Sequence, residues 1–213
     1  MKITFYLDVL SLWCLYALRS VERLQGEFGP LLDVRWRAAP IRGDRPLGYG
    51  REENAWYYRR AEAITGEGLT PDWLEGPLTG TREANLAALA AAELGRGGLE
   101  VPAALMRQAM EAGRHVARRD VAVAVAADAA GLDPFLLDAT MDEPQVIARL
   151  AEGNLEMAGF GVDQRPTLVF ENVIPDRAIL SGVWAYEPMA ALVTAMLLDE
   201  ERFLAFGSRG SQP

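Results

Sequence analysis

The chain holds a single cysteine, a single histidine and a single lysine in 213 residues. One cysteine, Cys14, excludes an internal disulfide framework. With only His115 beside it, a zinc site of the usual ligand set is implausible, so no metal is expected. No window approaches an apolar run long enough to span a bilayer. The start, Met1-Lys2-Ile3-Thr4-Phe5-Tyr6, lacks a signal peptide's long apolar stretch and small-residue cleavage site, and the chain reads as cytoplasmic. Positive charge is also short. The formal net charge of -9 argues against general nucleic-acid or anionic-membrane binding. The local group Arg114, His115, Arg118 and Arg119 reads as one solvated helix face. No glycine-rich phosphate loop follows a strand, since Gly95–Gly98 follows a helix and reads as its stop.

What is present is half hydrophobic, enough for a substantial core in one domain with a large insertion. Ile3–Leu7 is largely apolar, as a buried parallel strand is. From Trp13 to Phe28 apolar residues recur at helical spacing until Gly29-Pro30. Leu32–Pro40 is a second strand, with Val34 and Trp36 facing one way and Arg35 and Arg37 the other. That β-α-β unit favours a parallel pair with a right-handed crossover. Arg42–Tyr49 reads as loop. Helices are expected over Ala55–Ile64, Arg82–Leu94, Pro102–Ala112, Asp120–Ala130, Pro134–Met141 and Glu143–Gly159. Strands return at Thr167–Glu171 and Ala178–Ser181, with turn residues between them, as in an antiparallel hairpin. A helix over Trp184–Leu198 follows, and fraying is expected after Phe206. The order is that of an α/β thioredoxin-like fold, β-α-β … β-β-α, with a large all-helical insertion. Residues 1–42 and 160–213 form the thioredoxin-like part and residues 43–159 the insertion.

Four segments carry a family resemblance. Phe5-Tyr6-Leu7-Asp8-Val9-Leu10-Ser11-Leu12-Trp13-Cys14 resembles a first strand and active-site turn. Val34–Arg37 resembles a second strand, and Asp120–Asp133 a helix ending in Gly-Leu-Asp. Gly161–Phe170 followed by Ile179–Gly182 resembles a cis-proline loop and final hairpin. Together they resemble the DsbA-like branch of the thioredoxin superfamily, which includes FrnE-type proteins, 2-hydroxychromene-2-carboxylate isomerases and kappa-class glutathione transferases. Two departures stand out: Ser11 holds the place of the first cysteine, and Leu12 that of the usual proline. Ser181–Glu187 resembles the FrnE-type ending rather than the aspartate-containing motif of the glutathione enzymes.

The resemblance implies an active-site turn with Ser11 and Cys14 in the catalytic positions, and Trp13, Arg165, Pro166 and Thr167 as substrate-binding residues. A cysteine at position 11 would sit at a helix N-terminus with a depressed pKa. A serine there cannot attack disulfides without a paired base. It can donate a hydrogen bond to a bound thiolate, and it can simply cap the helix, accepting from the N–H near Trp13 or Cys14. Cys14 reads as a small core residue or as a site for a mixed disulfide. Trp13 packs over the active-site rim or serves as an ordinary aromatic anchor. The resemblance makes the Arg165–Pro166 bond cis. Arg165 can grip a substrate carboxylate, face solvent, or pair with Asp163. His115 belongs to an exposed helix unless folding brings it to Ser11.

Three functions fit. The first is a DsbA/FrnE-like thiol–disulfide oxidoreductase-family protein lacking its nucleophile. The second is a glutathione-dependent isomerase or transferase in which Ser11 orients the thiolate. The third is a non-enzymatic module holding an extended peptide beside Pro166. No cofactor is required in the first and glutathione serves in the second. The expected partners are a thiol- or disulfide-containing protein or a small thiol, with a homodimer as a candidate assembly.

Overall fold

The computed structural model describes residues 1–43 and 45–209. Strand β1 (Lys2–Leu7) runs into α1 (Leu12–Phe28), and β2 (Asp33–Ala38) returns beside it. Leu15, Leu18, Val21 and Leu24 of α1 are fully buried along one stripe. Gly29, at φ 51, ends the helix and donates its N–H to the carbonyl of Gln25. Six helices follow: α2 (Arg51–Thr65), α3 (Arg82–Glu93), α4 (Glu100–Met110), α5 (Arg119–Ala130), α6 (Pro134–Thr140) and α7 (Pro144–Gly159). The hairpin β3 (Thr167–Glu171) and β4 (Arg177–Ser181) and the helix α8 (Tyr186–Arg209) complete the chain.

The four strands form one mixed sheet in the order β2-β1-β3-β4. β1 pairs parallel with β2, with Phe5 opposite Trp36, and antiparallel with β3, with Phe5 opposite Leu168. β3 and β4 pair antiparallel, with Val169 opposite Ile179. Alternation along β1 divides the sheet between two layers. Ile3, Phe5 and Leu7 join the main core with α1 and with Met189 and Val193 of α8. Tyr6 and Val169 pack instead with Met157 of α7.

Several boundaries differ from those the sequence pattern predicts, each for a local reason. α2 starts at Arg51 rather than Ala55 because Glu53 reaches back to accept the N–H of Gly50 at 2.8 Å. That first turn has no apolar residue to announce it. α8 runs past Leu198 to Arg209 through Asp199–Arg202, a charged stretch that still favours helix. The frayed tail expected beyond Phe206 lies partly outside the described residues, as does Asp44 of the expected loop. α7 was placed in the insertion by the boundary at 159, yet it packs on the sheet. A Cβ at Gly153 would stand 2.2 Å from the carbonyl oxygen of Ala38, so α7 and β2 approach to backbone contact. α7 also packs on α3, so it joins the sheet to the helical block. The charge group at 114–119 is not one helix face either. Gly113, at φ 69, breaks the chain after α4 and leaves Arg114 and His115 in a loop.

Candidate active site

After β1, Asp8, Val9 and Leu10 are buried, and the N–H of Ser11 donates to the carbonyl of Asp8 at 3.0 Å. Ser11 sits at the N-cap position of α1 with extended backbone. Its carbonyl accepts from the N–H groups of Cys14 at 3.0 Å and Leu15 at 3.2 Å. The hydroxyl makes no capping bond, contrary to the expectation, and interacts with the Cys14 side chain instead. Ser11 keeps 6% of its surface and Cys14 none. Burial pushes the Cys14 thiol up to about 12, against the lowering pull of the Asp8 N–H, the Ser11 hydroxyl and the Arg165 charge. A helix N-terminus ordinarily lowers a thiol pKa; at Cys14 desolvation outweighs it.

Asp8 is the site residue that the sequence reading missed. Its buried carboxylate accepts from the N–H of Leu10 at 3.0 Å and of Ile41 at 2.8 Å. It also accepts from the hydroxyl of Thr81 at 2.8 Å and the amide of Asn85 at 2.9 Å. One carboxylate thus joins the active-site turn, the loop after β2 and the start of α3. Burial raises its pKa, and these hydrogen bonds oppose the rise. The signal available was an acidic residue inside an otherwise apolar strand-to-helix junction.

The Arg165–Pro166 bond is cis, and the Pro166 carbonyl accepts from the N–H of Gly182 at 2.8 Å. The Arg165 side chain is half-buried and does not pair with the Asp163 carboxylate. Its Nε donates to the carbonyl of Ala39 at 2.7 Å and its Nη2 to that of Pro40 at 3.3 Å. Its Nη1 also donates to the Asp163 carbonyl and its Nη2 to Asn154 Oδ1. Burial holds its pKa below the usual guanidinium value. Thr167 is also committed internally. Its buried hydroxyl donates to the Gln164 carbonyl at 2.7 Å and lies 3.1 Å from the Ser181 hydroxyl.

Trp13 stacks at the rim against Tyr16 and Trp184, with ring centroids 5.8 and 6.0 Å away. Beside these rings opens a cleft of about 390 Å³, between Trp13 and Trp184 on one side and Gln164, Arg165 and Gly182 on another. Arg60 and Ile64 of α2 complete it, and the sequence reading singled out neither. A larger depression of about 620 Å³ lies between Glu75–Gly80 and Arg82 and contains no residue of the active-site turn. The smaller cleft borders α1 through Trp13 and the cis-proline loop through Gln164 and Arg165; neither Ser11 nor Cys14 lines it. His115 is not brought to Ser11: its Nδ1 lies 3.6 Å from Glu75 Oε1.

A family model, the DSBA-like thioredoxin domain, matches residues 2–196. The chain belongs to the DsbA-like thioredoxin family. No curated protein shows significant sequence similarity to this DsbA-like chain. Among solved structures, the cytosolic disulfide reductase DsbM from Pseudomonas aeruginosa is 25% identical, with a TM-score of 0.74, covering 93% of this chain and 100% of its own. The same enzyme with GSH is 24% identical over the matched region, with a TM-score of 0.72, covering 92% and 99%. A 2-hydroxychromene-2-carboxylate isomerase shares the fold at 16% identity and a TM-score of 0.63, over 100% of each chain.

Proposed function

We propose that this DsbA-like protein binds a small thiol such as glutathione and orients its sulfur at Ser11, instead of exchanging a dithiol of its own. The observation that carries this reading is the state of Cys14. It is the chain's only sulfur nucleophile, it is fully buried, and its thiol is pushed up to about 12. A thiol so protonated and enclosed is a poor nucleophile at neutral pH. The glutathione bound to the DsbM relative supports the choice of ligand.

The turn offers a thiolate two stabilising features. The N-terminal N–H groups of α1 present partial positive charge. The Ser11 hydroxyl, free of capping duty, can donate to sulfur, and a hydrogen bond to an ionised acceptor is stronger than a neutral one. The adjoining cleft, about 390 Å³, falls within the range of roughly 300–1,000 Å³ usual for small-ligand sites. Trp13 and Trp184 supply an aromatic wall. The Arg165 side chain braces the cis-proline loop, leaving the backbone before Pro166 to meet the ligand. Bound glutathione would supply the nucleophilic sulfur for an isomerase or transferase reaction. A cytoplasmic setting, where glutathione is plentiful, accords with this reading and with the cytosolic DsbM relative.

Calorimetric titration with reduced glutathione tests the proposal. Binding at millimolar affinity or better, weakened in Ser11→Ala, is expected; no heat and no thermal shift at saturating glutathione would overturn it.

A further inference from the structure

The residues lining the cleft include two guanidinium groups, Arg60 and Arg165, and no carboxylate. That is the reverse of the chain as a whole, whose formal net charge is -9. The two arginines differ in what they have left to give. Arg165 spends four of its five donors on Ala39, Pro40, Asn154 and Asp163, all of them uncharged oxygens. Arg60 is exposed and, among the described residues, has no hydrogen bond or ion pair. Its guanidinium lies 5.9 Å from the ring centre of Trp56, one turn earlier on α2. Ile64, one turn later, lines the same cleft, so one stripe of α2 forms this wall.

A cation with no counter-ion among the described residues, at the edge of a cleft that two tryptophans, Ile64 and Gln164 also line, is suited to a ligand that brings its own anion. A guanidinium offers a planar fork of donors that matches a carboxylate. We infer that Arg60 is the specificity-determining residue of this cleft, selecting thiols that carry a carboxylate over neutral thiols of similar size. The inference rests on the thiol-site reading above and names the ligand class that site takes.

The test compares reduced glutathione with its diethyl ester, which keeps the thiol and loses both carboxylates. Each is titrated into the full chain, Arg60→Gln and Arg60→Lys. Because Arg60 is exposed and unbonded, the variants should fold, and circular dichroism melting checks this. Arg60→Gln is expected to weaken glutathione roughly three- to tenfold, the range of a partly exposed charge pair, and to leave the ester unchanged. Arg60→Lys should retain most of the affinity. Added salt should weaken glutathione binding by the parent more than by Arg60→Gln. Equal glutathione affinity in the parent and Arg60→Gln, or equal losses for glutathione and ester, would overturn the role of Arg60 while leaving the thiol site standing. Absence of glutathione binding by the parent would overturn both.

Discussion

Asp8 and Arg165 hold the same three-residue segment, the first as acceptor and the second as donor. Asp8 takes the N–H of Ile41 at 2.8 Å, while Arg165 donates to the carbonyls of Ala39 at 2.7 Å and Pro40 at 3.3 Å. The loop after β2 is thereby tied to the active-site turn and to the cis-proline loop. Arg165 and Asp8 are the charged groups acting on Cys14, with opposite sign. Both of these charges are committed to groups of the protein itself.

Asp8→Ala should destabilise the fold by about 3 kcal/mol, because it strands four donors, three of them buried and that of Ile41 part-buried. Urea unfolding measures this. A loss below about 1 kcal/mol would show that those donors find other partners.

Gly153→Ala sets two effects against each other. Alanine favours helix by about 1 kcal/mol over glycine. Its Cβ, however, would stand 2.2 Å from the Ala38 carbonyl oxygen, which is backbone and cannot rotate away. Overpacking should win, with a net loss of roughly 1–3 kcal/mol. A higher urea midpoint for Gly153→Ala would contradict the close packing of α7 on β2.

Cys14 couples stability to pH. An unfolded cysteine ionises at about pH 8.5, whereas the folded thiol is pushed up to about 12. Above about pH 8.5 the unfolded state releases its proton and the folded state keeps it. Folding stability therefore falls as pH rises through that window, by at most about 1.4 kcal/mol per unit. Cys14→Ala should lack this part of the decline. Comparison of the two proteins between about pH 8.5 and 9.5 isolates it, since tyrosine ionisation, centred at about pH 10, is common to both. Parallel curves for the two proteins would refute the raised thiol pKa. The same burial predicts that native Cys14 reacts with thiol reagents far more slowly than the unfolded chain.

Ser11→Cys restores the second sulfur at the N-terminus of α1, where a thiol pKa is lowered. The variant should form a disulfide with Cys14 and reduce insulin. A variant that forms and releases that disulfide without reducing insulin would count against a working dithiol scaffold in this family member.

Much of this architecture was legible because its signals are local. Gly131, Asp133 and Pro134 punctuate α5 and α6 as written: Gly131 adopts the left-handed conformation, and Asp133 accepts from the N–H of Phe135 at 2.8 Å. Pro166 and Asn172 bracket β3 at the predicted residues. The strand, turn and helix around Ser11 were equally plain, since they are contiguous. What escaped was long-range. Asn85 and Thr81 lie far along the chain from Asp8, and nothing near Asp8 announces them. Arg165 was read as gripping a substrate carboxylate, facing solvent or pairing with Asp163; its bonds to carbonyls of a distant loop were not legible, because backbone acceptors leave no mark in a sequence. Arg60 was one arginine among many until α2 was seen to form a wall of the cleft.

The central claim is that Ser11 stabilises a ligand's thiolate. The ultraviolet absorbance of glutathione thiolate, followed against pH with the Cys14→Ala protein as host, measures this directly. The account predicts that bound glutathione ionises at lower pH than free glutathione, and that adding Ser11→Ala moves it back towards the free value. Bound glutathione that titrates as the free thiol does, with or without Ser11, would contradict it.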